Sequence, residues 1–340
     1  MSASVKSQVS SGIGTATVPP RVWKNPGNLD FKIIDPSFTF EDRDPNSVGY
    51  SPNPSKIHGT ILKTLEFMLK TPAEFFLNWN EFKTEDICGN QLLIMVAGAP
   101  KNVERREIIR KNWSRVIDAG SNSGFATIIF TVGIAGLTEE EVSDLKDESS
   151  IHKDIIMLNY KEMYDLLTIK TVAQMLFYYK FCENVITDFD INKKFMLHID
   201  DDLYLDILAL KDSLGPGKTI RIPDRIYCLD KALMKSDGLG TYPHRKGKYI
   251  ITEREYSKER FPSACAGTAF ITAYSLTKRL VDVIPDSMPV RLEDIYVTGV
   301  LRQLARVPNP IQVKPKMVEH LKGDIGLFER KISGMRDVEV

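Results

Sequence analysis

Apolar positions along this chain fall into short continuous runs separated by stretches of helical period. Leu92-Leu93-Ile94-Met95-Val96 is unbroken and is closed by Gly98 and Pro100, which predicts a buried strand. Val103 to Asp118 then places Ile109, Trp113 and Val116 on one face, as a helix would. Ala126–Val132 predicts a second strand, Glu139–Lys146 a short polar helix, and Ile155–Leu158 a third strand. Thr168–Ile186 predicts a long helix ending near Asp188, and Lys194–Ile199 a strand that runs into three aspartates. This alternation predicts an α/β fold with one Rossmann-like, mostly parallel sheet flanked by helices.

Upstream, Ile61, Leu62, Leu65, Met68 and Leu69 make a helical stripe, so residues 61–87 read as a helical lead-in. Residues 1–60 are rich in Ser, Pro, Asn and Asp, with turn formers dense from Asp42 to Pro54. They read as a polar tail or irregular stem, although Phe31, Ile33, Ile34, Phe38 and Phe40 could dock on a core. The main domain is expected over 88–325, with 326–340 as a C-terminal tail.

Composition narrows the function classes. Of 340 residues, 43% are hydrophobic, enough for a sizeable core. Lys+Arg and Asp+Glu are both 45, and the zero net charge argues against a dedicated nucleic-acid binder or a polybasic membrane-surface protein. No apolar run reaches the roughly 18 residues of a membrane span. The segment MSASVKSQVSSGIGTATVPP carries no apolar stretch of the secretory-signal kind. Cys88, Cys182, Cys228 and Cys265 are too widely spaced for a structural zinc site. Spacing alone leaves four thiols or any of three disulfide pairings open. Gly215-Pro216-Gly217-Lys218-Thr219 imitates the tail of a phosphate-binding loop, but Asp212 stands where its first glycine belongs, so it reads as a turn. No G-x-G-x-x-G follows a strand and no G-x-S-x-G is present, which weakens oxidoreductase and serine-hydrolase readings.

Three constellations carry candidate chemistry. Asp200-Asp201-Asp202 follows a strand, where open α/β sheets bind ligands, and hard oxygen ligands there suit Mg²⁺ or Mn²⁺. The competing reading is a solvated acidic turn capping the next helix; the buried strand in front favours the metal. Glu293-Asp294 would put a carboxylate at a helix start beside a cleft, or merely cap that helix. Arg105, Arg106 and Arg110 open the helix after the first strand. They suit diphosphate oxygens, or form a charged face paired with Glu104 and Glu107.

In order, these pieces resemble the β-1,3-galactosyltransferase and β-1,3-N-acetylglucosaminyltransferase family, glycosyltransferase family 31, from about Cys88 to Ala305. The first block is LLIMVAGAPKNVERREIIRKNW, with Arg105, Arg106, Ile109, Arg110 and Trp113 matching and Asn112 in place of a usual Thr. Next come Glu148, His152, Asp154, Ile155 and Ile156, then Tyr164, Leu167, Thr168, Lys170 and Thr171. The D-D-D motif, FPSACAGTAFI around Gly267, and Glu293-Asp294-Ile295-Tyr296 to Gly299 complete the series. Departures are Leu166 for an Asn, Ala264 for an aromatic, and Thr268-Ala269 within a glycine run, which would narrow a pocket.

The resemblance implies a GT-A fold and an inverting, metal-dependent hexosyl transfer from a UDP-sugar to a glycan hydroxyl in β-1,3 linkage. Galactose is the expected sugar. UDP-GlcNAc as donor, or a non-catalytic member that binds glycans or a partner transferase, are the alternatives. The implied roles are Asp294 as general base with Glu293 as fallback, and Asp202 with Asp200 as ligands to Mn²⁺ or Mg²⁺. Arg105, Arg106, Arg110, Asp200, Asp201, Lys248 and Gly267 would line the donor, with Trp113 packing. The family is Golgi-luminal and normally membrane-anchored, and homo- or hetero-dimers with another transferase would fit. An oxidising lumen makes Cys88–Cys182 and Cys228–Cys265 plausible pairs by position. The sequon Asn112-Trp113-Ser114 lies inside a predicted helix and is expected to stay unglycosylated.

Overall fold

The computed structural model describes residues 54–117, 124–233, 238–247, 249–314 and 317–320. The proposed docking of Phe31 to Phe40, the remainder of the tail before Pro54, and the 326–340 tail lie outside them.

The strands are β1 (Leu92–Ala97), β2 (Ala126–Gly133), β3 (Ile155–Leu158), β4 (Phe195–Asp200), β5 (Leu203–Leu205), β6 (Tyr227–Cys228), β7 (Ala232–Leu233), β8 (Ala264–Cys265), β9 (Ala269–Ala273), β10 (Ile311–Gln312) and β11 (Val318–His320). Seven of them form one sheet in the order β10-β6-β9-β4-β1-β2-β3. The β1–β2, β1–β4, β2–β3 and β10–β6 pairs are parallel, while β9 runs antiparallel to both β4 and β6. The expected mixed α/β architecture with a mostly parallel sheet is therefore present.

β1 is apolar at every position because both sheet faces are covered. Leu93 and Met95 pack on one side with the helices Pro54–Lys70 and Leu167–Phe181. Leu92, Ile94 and Val96 pack on the other with Ile109, Trp113, Ile117 and Leu145. Trp113 is 2% exposed, a core residue as expected. The lead-in is part of the first of these cores, through Ile57, Ile61, Leu65 and Met68.

Several boundaries differ from the periodicity. The first helix starts at Pro54, inside the segment read as tail, and stops at Lys70 because Pro72 follows. The polar helix runs to His152 from a capping box in which Thr138 and Glu141 satisfy each other's backbone amides. The long helix ends at Phe181, not Ile186, with Cys182 already in a disulfide. The helix from Val103 widens to a π turn at Arg110–Ser114.

Both pairings named from position are formed, Cys88–Cys182 and Cys228–Cys265. The first joins the lead-in to the end of the long helix. The second joins β6 to β8. No helix among the described residues is long and apolar enough to cross a membrane.

Candidate active site

The parallel strands β1 to β4 end along one edge of the sheet, and antiparallel β9 begins there. Asp200 pairs with Ala97 in register, and its amide donates to Thr268 O at 3.1 Å. The reversal of β9 thus brings the Gly267 loop onto the aspartate cluster. The second acidic pair arrives from the far side. A Cβ built on Gly267 would lie 2.5 Å from Glu293 Oε1 and 3.4 Å from Asp294 Cβ, so this loop lies directly against the acidic pair and a larger residue would push the Glu293 side chain aside.

Asp294 is partly buried at the start of a π-helical segment, Ile295–Leu301, and accepts from the Ile295 amide at 2.7 Å. Burial pushes its carboxyl up to about 6, against backbone hydrogen bonds from Ile295, Asp294 and Gly267 that hold it down. Glu293 is pushed well above the usual carboxylate range by burial and by the charges of Asp294 and Asp200. Asp200 is raised likewise, by burial and then by Asp202 and Asp201, with Lys170 opposing. Five acidic side chains, Asp200, Asp201, Asp202, Glu293 and Asp294, therefore share one field at the carboxyl edge of the sheet, the place where such sheets bind ligands.

Lys170 is the buried cation behind them. Its Nζ donates to the Gly98 carbonyl and pairs with Glu162 Oε2 at 2.7 Å. Glu162 also accepts from the Gly133 amide at 2.9 Å. Beside it, Gln174 donates to Thr131 Oγ1 at 2.7 Å and meets His198 Nδ1 at 2.6 Å. Burial, then the Lys170 charge, lowers His198 to about 3, so the ring is neutral. Lys170 could have been singled out from sequence alone. One lysine inside LTIKTVAQMLF interrupts an otherwise apolar helix, and such a charge is retained only with a buried partner.

The expected donor row divides. Arg105 is part-exposed and its Nη1 donates to Asp201 Oδ1 at 2.7 Å. Asp201 also accepts from Asn102 at 2.7 Å and is only 6% exposed. Asp201 therefore clamps the loop after β1 through both of its oxygens. Arg106 is fully buried, its guanidinium spent on both Glu148 oxygens, Ala99 O and Pro100 O. Arg110 is held by Asp154 and Glu148. Burial opposes the charge on Glu148, yet the hydrogen bonds from Arg106 and Arg110 outweigh it and keep Glu148 below the usual range. These two arginines pair with Glu148 and Asp154, not with Glu104 and Glu107, because the helix turns them toward the start of β3. Lys248 lies outside the described residues.

Among the described residues, no three His, Cys, Asp or Glu side chains are gathered as a metal cage. With Asp201 clamped, Asp200 and Asp202 are the carboxylates of the triad left for a cation. One or two carboxylates completed by water and substrate phosphate is how Mg²⁺ is commonly held. The donor set fits that mode.

The family model for Galactosyltransferase matches residues 104–312. The chain belongs to the galactosyltransferase family. Beta-1,3-galactosyltransferase 5 of Mus musculus is 26% identical over 228 residues, covering 66% of this chain and 67% of that protein. UDP-GalNAc:beta-1,3-N-acetylgalactosaminyltransferase 1 of Homo sapiens is 25% identical over 228 residues, covering 65% of this chain and 62% of that one. The galactosyltransferase match thus spans about two thirds of the length of these relatives. Among solved structures, an inositol-1-phosphate CTP transferase from T. maritima aligns with TM-score 0.36 at 10% identity, over 74% of this chain and 98% of that chain. A glycosyltransferase involved in glycosylating the major capsid of PBCV-1 aligns with TM-score 0.32 at 9% identity, over 72% and 99%. Superpositions at that level carry no weight for this galactosyltransferase-family chain, whose fold rests on the topology above.

Proposed function

We propose that this chain transfers a hexose, galactose in the first instance, from a UDP-sugar to a glycan hydroxyl in β-1,3 linkage with inversion, on a GT-A fold. The observation that carries the reading is the approach of Glu293-Asp294 to Asp200 beside the Gly267 loop. One acidic pair holds the donor and the other serves the acceptor, at the same edge of one sheet. Family membership and the activities for which the relatives are named support the reaction class.

Asp294 is the general base. Its carboxylate takes the proton from the acceptor hydroxyl as that oxygen forms a bond to the anomeric carbon, and the bond from that carbon to the diphosphate breaks. A base near neutrality is matched to this task. Glu293, pushed well above the usual carboxylate range, lies beside Asp294 as the fallback base. Asp202 and Asp200 would hold Mn²⁺ or Mg²⁺, which supplies charge neutralisation for the departing diphosphate. Arg105, anchored on Asp201, borders the donor side. Arg106 and Arg110 position that helix from below. Two disulfides suit the Golgi lumen, an oxidising compartment.

UDP release is the test, across UDP-Gal, UDP-GlcNAc and UDP-GalNAc with Mn²⁺ and then EDTA, with galactoside and hexosaminide acceptors added. Acceptor-stimulated release from one donor, lost in EDTA, is expected and names the sugar. UDP-GlcNAc as that donor would move the chain to the N-acetylglucosaminyl alternative. UDP binding without release from any donor would mean that the acceptor is missing from the panel, whereas absence of UDP binding would favour the non-catalytic alternative. Asp202→Ala should abolish Mn²⁺-dependent UDP binding; unchanged calorimetric affinity would remove Asp202 from the metal site.

A further inference from the structure

Two tyrosines border the acidic cleft without belonging to any core. Tyr164 and Tyr249 are each 44% exposed, yet their hydroxyls are hydrogen-bonded to one another. They come from distant parts of the chain. Tyr164 opens the single turn before the long helix, and Tyr249 lies in the loop preceding β8.

A buried arginine holds these segments together. Arg291 is 3% exposed, and its Nη1 donates to Asp165 Oδ1 at 2.9 Å, next to Tyr164. Its Nη2 donates to the carbonyl of Ile250, next to Tyr249. Its own amide donates to Glu255 Oε1 at 2.7 Å. Thr168 Oγ1 adds bonds to the carbonyls of Val290 and Arg291 at 2.8 and 2.9 Å. Glu293 and Asp294 follow directly. One side chain therefore fixes two rings and the acidic pair relative to one another. The Tyr164 hydroxyl is kept protonated by burial and then by the Glu293 charge, so it remains a donor.

We propose that the Tyr164–Tyr249 pair is the platform for the acceptor, and that the acceptor portion seated there is a neutral pyranose. This rests on the glycosyl-transfer reading above and names its acceptor side. A pyranose offers an apolar C–H face to a ring and hydroxyls to the phenol groups, matching what the pair presents. An anionic group is disfavoured, because Glu293 and Asp294 set a negative field at the same mouth. The platform borders the Glu293-Asp294 pair, whose charges act on the Tyr164 hydroxyl.

Saturation-transfer NMR with methyl β-D-galactopyranoside and methyl N-acetyl-β-D-glucosaminide tests this on the whole chain, with UDP and Mn²⁺ present. Saturation should be strongest on the C–H protons of one ring face. It should disappear in Tyr249→Ala and Tyr164→Ala and persist in Tyr249→Phe, while UDP affinity stays within about twofold of wild type. In transfer assays the acceptor KM should rise about tenfold in Tyr249→Ala. Equal saccharide contact in wild type and both alanine variants would overturn the platform. So would UDP binding with no saccharide contact at all. Absence of UDP binding would instead overturn the transferase reading, and the two failures are told apart in one sample.

Discussion

Single residues decide whether the cleft works. Asp294→Asn keeps the Ile295 cap but removes the proton acceptor, so transfer should fall about 10²–10⁴-fold with UDP affinity retained. Initial rates beside calorimetry check this, and wild-type turnover in the variant would return the role to Glu293. Gly267→Ala is a sharper probe of geometry. Its methyl group would meet the end of the Glu293 side chain, which is displaceable, and not backbone. The variant should melt cooperatively near wild type while transfer drops at least about tenfold from the displaced carboxylate. A normal rate there would mean that Glu293 takes no part in arranging the base.

At the scale of elements, the strands were legible because a strand covered on both faces is largely apolar; β1 and β3 are so throughout, and β2 and β4 are interrupted only by Thr127, Thr131, His198 and Asp200 among their apolar and glycine positions. The aspartate triad was legible for the same reason, since a charge cluster directly after such a run is conspicuous. What period alone could not show was the direction of β9, on which the approach of Gly267 to Asp200 depends. Nor could it show the division of labour among the arginines. Arg105, Arg106 and Arg110 look alike in sequence, and only the turn of their helix sends Arg106 and Arg110 toward Glu148 and Asp154. The π-helical segment after Asp294 was equally hidden, because a one-residue widening leaves the apolar pattern almost unchanged. The arginine network carries its own expectation. Arg106→Ala leaves a largely buried Glu148 without its bidentate partner and should cost about 3–5 kcal/mol in denaturant unfolding. Glu148 titrates below its ordinary value in the folded chain, so its stabilisation is present above the ordinary carboxylate pKa and is lost as pH falls through the lowered one. Glu148→Gln should therefore melt below wild type at pH 7, with the gap closing in acid. A gap that is constant with pH would contradict this.

For the whole molecule, the two disulfides divide the work of holding the fold. Cys88–Cys182 spans 94 residues and ties the lead-in helix region to the long helix under the sheet. Cys228–Cys265 spans 37 and ends two residues before Gly267. Removing one such bridge typically costs about 2–5 kcal/mol. Loss of the first by Cys88→Ser/Cys182→Ser should lower the melting temperature; loss of the second by Cys228→Ser/Cys265→Ser should lower transfer more than it lowers melting. Equal losses of both in the two variants would refute that division. This placement bears on how the protein must be made. In a reducing cytosol the sheet could still assemble around β1 to β4, but the loop carrying Gly267 would lack its tether to β6. Such material would be soluble and folded by far-ultraviolet dichroism, yet silent in assay. Yield and solubility are therefore the wrong criteria for choosing an expression host, and a thiol titration on each batch is the right one.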